Sequence, residues 1–161
     1  YINAFPNIED EVLMRDFETW LGLDSDKQQV LLDSTYYIKD DSNSPYSDTY
    51  EQKFSTNAMA GKLDVVLADV TNFDFYGNQG FFQDLSMILS EEQLNNYSQC
   101  LYYADIPNDD SSKKVPIGIR IDCANKICQT SSYLNTDAYF GIVTGTENVS
   151  TALSYLTYLE N

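Results

Sequence analysis

The chain has 161 residues, 43% hydrophobic and 14% aromatic, with 9 basic side chains against 25 acidic ones and a net charge of −16. This length and composition suit one domain with a buried core, and they exclude a disordered tail. The acidic balance argues against nucleic acid, whose phosphates require clustered Lys and Arg, and against anionic membrane surfaces; the absence of His removes Ser-His-Asp and Cys-His catalysis and every His-ligated metal site.

Residues 1–5 (YINAF) read as the end of a first strand closed by Pro6. Asn7 then caps a helix in which Ile8, Val12, Leu13, Phe17, Trp20 and Leu21 share a face, with Gly22 as its stop. Residues 28–38 (QQVLLDSTYYI) carry the β-branched and aromatic residues of a second strand, and the polar run 39–47 is a loop. A second helix over 48–60 aligns Tyr50, Phe54 and Ala58 and ends at Gly61.

The stretch 61–85 (GKLDVVLADVTNFDFYGNQGFFQDL) organises the rest. Residues 63–68 are apolar except for Asp64, the pattern of a strand buried on both faces, which is usually a parallel one. Strand–helix–strand–helix–strand order predicts right-handed crossovers and a mostly parallel sheet between helices. In open α/β sheets ligands sit beyond the carboxyl ends of the strands. The candidate binding residues are therefore Asn7, Asp69, Thr71, Asn72 and Thr144, each following a predicted strand. Helix capping is the competing role for Asn7, Asp69 and Thr71.

Downstream, the aromatic residues Phe73, Phe75, Tyr76, Phe81 and Phe82 surround Gly77 and Gly80, in a short helix, a turn and another short helix. Ser90 and Gln93 have the spacing of a capping box. Residues 100–105 and 115–121 form a hairpin, Pro116 favouring an edge or a strand start. Residues 138–144 make a last strand and Asn148 caps a final helix with Val149, Ala152, Leu153, Leu156 and Leu159 on its buried side. Cys100, Cys123 and Cys128 are half-buried thiols by default; Cys123 and Cys128 are near enough in sequence for a short-loop disulfide. Three thiolates without His make a poor zinc set. The acidic groups Asp40, Asp41 and Asp48, and Asp105, Asp109 and Asp110, lack the calcium-loop pattern and read as solvated.

Three patterns in chain order carry a family likeness: GKLDVVLAD with YGNQGFFQDL, then KVPIGI over 114–119, then YFGIVTGTENVSTALSYLTYL. Together they resemble the first lobe of bacterial extracytoplasmic solute-binding proteins, the type II periplasmic-binding-protein fold, and extend to short membrane-anchored Firmicutes proteins of unassigned function. The resemblance implies a single α/β lobe over 1–161, set outside the cytoplasm. The chain starts at Tyr1 without Met, and the expectation is an upstream anchor as its only tie to a membrane. About 20 residues separate the KVPIGI and YFGIV strands, too few for a second lobe, because one βαβ unit needs about 30. The expected function is a non-enzymatic extracytoplasmic binding module for a small solute, a peptide or a protein, without cofactor or metal. The alternative is a structural or assembly domain of a membrane-anchored surface protein, for which a homodimer would supply the missing lobe. A hydrolase with paired carboxylates ranks third, because among 25 acids some pair always lies close.

Overall fold

A computed structural model describes residues 1–4, 8–24, 26–38, 47–105, 113–121, 126, 132, 133 and 137–161. The elements are α1 (Ile8–Leu21), α2 (Ser47–Met59), β1 (Val65–Asp69), α3 (Val70–Gly77), a 3-10 turn (Leu85–Met87), α4 (Glu91–Asn96), β2 (Leu101–Asp105), β3 (Lys114–Ile121), β4 (Ala138–Ile142) and α5 (Val149–Glu160). The helix signals in the sequence act locally. Gly61 takes φ +66°, its N–H donates to Ala58 O, and Lys62 N–H donates to Asn57 O, a Schellman closure of α2 that a Cβ would strain. Ser90 and Gln93 complete the capping box of α4.

The sheet is antiparallel, not mostly parallel. Its order is β1-β4-β3-β2, and every neighbouring pair runs antiparallel. Parallel pairing among the described residues is confined to two single-residue bridges, Ile2 to Tyr36 and Ile2 to Ala68. The apolar run of β1 suggested a parallel strand because both its faces are buried. Here that burial comes from helices on both sides of an antiparallel sheet. Leu67, Phe140, Ile142 and Ile119 pack with α1 and α5, whereas Val66, Ala68, Val143 and Ile117 pack with α2 and α3.

Two local readings change as well. Residues 28–35 form no strand: Leu31 is 80% exposed, and Val30 N–H donates to the Glu18 carboxylate on α1. On α1 the buried stripe is Asp10, Leu13, Met14 and Phe17, while Val12 and Trp20 are half exposed. Pro116 sits inside β3, in the part opposite β2 at Tyr103, whereas the β4 pairing covers Ile119 to Ile121. Its missing N–H therefore breaks no bond to β4.

A bulge in β3 explains how that strand serves both cores. The β2–β3 register shifts between Tyr102, opposite Gly118, and Tyr103, opposite Pro116, leaving Ile117 as the extra residue. Val115 and Ile117 then face α3, and Ile119 and Ile121 face the other core, although all four are odd-numbered. Gly118 remains on the α3 side, where a Cβ would lie 2.3 Å from Phe73 Cζ. A Cβ on Gly141 would lie 2.9 Å from Phe73 Cε2 and 2.8 Å from Phe82 Cδ1. The two glycines thus form a floor for the Phe73 ring, which stacks on Phe82 at 4.3 Å and 10°.

Candidate functional site

The corner after β1 is built from the backbone outward. Asp69 takes extended dihedrals and caps α3, its Oδ1 accepting from the N–H groups of Thr71 (3.1 Å) and Asn72 (3.2 Å). Its Oδ2 accepts from Asn72 Nδ2 and from Asn3 Nδ2, both at 2.9 Å. Two oxygens with two donors each fill the acceptor capacity of a carboxylate.

Asn3 is the residue that the sequence reading missed. Its φ of +55° is tolerated by Asn far better than by most residues. In that conformation its side-chain amide acts as a strand partner for Ile38. Nδ2 donates to Ile38 O at 2.6 Å and Oδ1 accepts from Ile38 N–H at 2.8 Å, while Asn3 N–H donates to Tyr36 O at 2.9 Å. Buried Asn72 adds a bond to Ile38 O at 3.3 Å. From the other core, the Tyr133 hydroxyl bonds to the carbonyls of Ile2 (2.8 Å) and Leu67 (2.7 Å). Burial first, and then the Asp69 charge, push the Tyr133 hydroxyl well above the usual tyrosine range, so it stays a donor. The corner ties residues 2–3, 36–38, β1 and α3 into one unit.

The five predicted site residues do not converge. Asp69 and Asn72 belong to this latch, and Thr71 contributes its backbone N–H while its side chain is exposed. Thr144 stands at the opposite end of the sheet. Antiparallel register pairs Asp69 with Ala138 and Val65 with Ile142, so the five residues of β1, about 13 Å end to end at 3.3 Å per residue, separate the two positions. The Thr144 hydroxyl donates to Gly80 O at 2.9 Å. Asn7 lies outside the described residues, as do Cys123 and Cys128. Asn148 occupies the cap position of α5 but makes no side-chain cap bond; its amide donates to Asp64 Oδ1 at 3.1 Å, and the Thr146 hydroxyl donates to the same oxygen.

A second surface lies at the Asp69 end of the sheet, on the face that carries α3. Here β2, β3 and β4 present Tyr102, Arg120 and Tyr139. Arg120 is opposite Tyr139 in the ladder, and its N–H donates to Cys100 O, one residue before Leu101. Ile119 and Ile121 point into the other core, which puts Arg120 on the Gly118 side. The rings of Tyr102 and Tyr139 meet edge to face at 5.0 Å, and each lies 5.5 Å from Phe73. Both tyrosines are half-buried and Arg120 is exposed. The Tyr102 hydroxyl donates to Asp74 Oδ1 at 2.6 Å; burial and that bond raise its pKa. Burial, then the Asp137 charge, raise the Tyr139 hydroxyl, with Arg120 opposing. None of the ion pairs among the described residues includes Arg120; they use Arg15, Lys27 and Lys53.

No group of three or more acidic or Cys side chains among the described residues could hold a metal ion, and no helix among them is long and apolar enough to cross a membrane. No family model, curated protein or solved structure matches the chain.

Proposed function

We propose that this chain is a non-enzymatic recognition domain that binds a peptide or protein partner through the Tyr102–Arg120–Tyr139 face. The observation that carries this reading is the division of labour at one end of the sheet. The Asp69 carboxylate is consumed by four internal donors, while three neighbouring strands offer two half-buried tyrosines and an exposed arginine beside it. Tyr and Arg are the residue types enriched where protein interfaces concentrate their energy. The wider reading, an extracytoplasmic module tethered by an upstream anchor, rests on the sequence resemblance alone.

The test is a peptide-display selection on the intact domain, counter-selected on an Arg120→Gln/Tyr139→Ser variant that keeps its circular dichroism and melting temperature. Enriched peptides should move the Tyr102 and Tyr139 ring resonances of the parent domain. Enrichment of peptides that perturb only other surfaces would refute the assignment of this face.

A further inference from the structure

We propose that Arg120 anchors a carboxylate of the partner, so that the face takes a peptide segment in which an acidic side chain neighbours an aromatic or apolar one. This inference rests on the recognition role proposed above. In a chain with 25 acids and 9 bases, an exposed guanidinium has an abundance of internal partners, yet Arg120 is in no ion pair among the described residues. Of the nearby acids, Asp137, exposed two residues before Tyr139, forms no ion pair with Arg120 among the described residues, and the other two already hold internal donors. Asp74 Oδ1 receives the Tyr102 hydroxyl at 2.6 Å and the Asn78 amide at 3.1 Å, and Asp69 is filled by four donors.

The guanidinium fork matches a carboxylate in two parallel hydrogen bonds, which a Lys could not reproduce. A net charge of −16 opposes any anion that approaches the surface, with the repulsion screened beyond about 8 Å at physiological salt. A bare carboxylate is therefore insufficient. The half-buried side chains of Tyr102 and Tyr139 supply the apolar contact that makes a peptide, rather than a small anion, the fitting occupant.

The experiment titrates the folded domain with N-acetyl-Glu-Tyr-amide and, separately, with N-acetyl-Gln-Tyr-amide. The Arg120 Nε–Hε signal and the Tyr102 and Tyr139 ring signals are followed by NMR. The Glu peptide should shift all three saturably and bind about five- to tenfold more tightly than the Gln peptide, an advantage of about 1 kcal/mol for a partly exposed charge-assisted pair. Arg120→Gln should abolish that difference. Equal binding of the two peptides on this face would overturn the carboxylate anchor and leave the recognition face standing. Shifts confined to other surfaces, or no shift with either peptide at millimolar concentration, would overturn both.

Discussion

Replacing Gly118 by Ala sets two known effects against each other. Gly118 has no positive φ, so the backbone accepts Ala, and the loss of unfolded-chain entropy alone would stabilise the fold by about 0.4–1 kcal/mol. The new methyl, however, would lie 2.3 Å from Phe73 Cζ, 2.5 Å from Phe73 Cε1 and 3.1 Å from Phe140 O. Phe73 is fully buried and hemmed in by Phe82 at 4.3 Å and by Tyr102 and Tyr139 at 5.5 Å, so its ring has no vacant direction to move in. Overpacking of this kind costs about 1–3 kcal/mol, and it outweighs the entropy gain. Urea unfolding should show a lower midpoint at unchanged m, for a net loss of about 1–2 kcal/mol. Pairing the change with Phe73→Leu should recover part of the loss, a coupling expected only of residues in contact. A stabilised Gly118→Ala protein would refute the glycine floor and, with it, the placement of α3 on the sheet.

Other substitutions and conditions follow from the same contacts. The Tyr76 hydroxyl is buried without a hydrogen-bond partner among the described residues, so Tyr76→Phe should leave the melting temperature unchanged or raise it; a loss above about 1 kcal/mol would show that the hydroxyl is satisfied. Burial is the largest single influence on Asp33 and pushes its pKa up, but the hydrogen bonds from Lys53 and Thr35 and the Lys53 charge together outweigh it and hold the carboxyl at about 2, below its usual 3.8. A lowered folded-state pKa adds stability above pH about 4 that is lost as the pH falls through about 2. Both partners of that ion pair are more than a third solvent-exposed, which limits the effect to about 1 kcal/mol or less, and Asp33→Asn should flatten that part of an acid-unfolding curve. Tyr133→Phe should cost about 1–3 kcal/mol, because it removes the one hydroxyl proton that the buried carbonyls of Ile2 and Leu67 share, Leu67 O keeping the Ile2 N–H; hydrogen exchange at Ile2 and Asn3 amides should accelerate more than at α5, and uniform acceleration would count against a local role.

Helices and their ends were legible because their signals are local. Gly22 and Gly61 mark stops, Ser90 and Gln93 a capping box, and Phe54 and Ala58 a spaced apolar stripe, and each operates within one or two turns. Strand direction was not legible. An apolar run such as 65–68 reports only that both faces are covered, and an antiparallel strand between two helical layers satisfies that as well as a parallel one. Once β4 runs against β1, Thr144 must leave the corner occupied by Asp69, so one error of direction divided the predicted site. Asn3 escaped notice because its role depends on Ile38 and Asp69, residues 35 and 66 positions away. Arg120 and the two tyrosines escaped for a similar reason: the bulge at Ile117 reverses the alternation of β3, and only the register shows that Arg120 shares a face with Tyr139. An Asn beside the β-branched Ile2 and a glycine flanked by Ile117 and Ile119 were the available hints, and neither names its partner.

The most direct test compares the urea unfolding free energies of Asp69→Ala and Arg120→Gln in the same buffer. Asp69→Ala removes a helix cap worth about 1 kcal/mol and leaves Nδ2 of the half-buried Asn3 and Nδ2 of the buried Asn72 each with its bond to Ile38 O alone, so it should cost about 2–3 kcal/mol in all. Arg120→Gln, on an exposed side chain outside every ion pair described, should change stability by no more than about 0.5 kcal/mol. That result would mark the Asp69 corner as the latch of the fold and the Arg120 face as surface left for a partner. A neutral Asp69→Ala beside a costly Arg120→Gln would contradict both assignments.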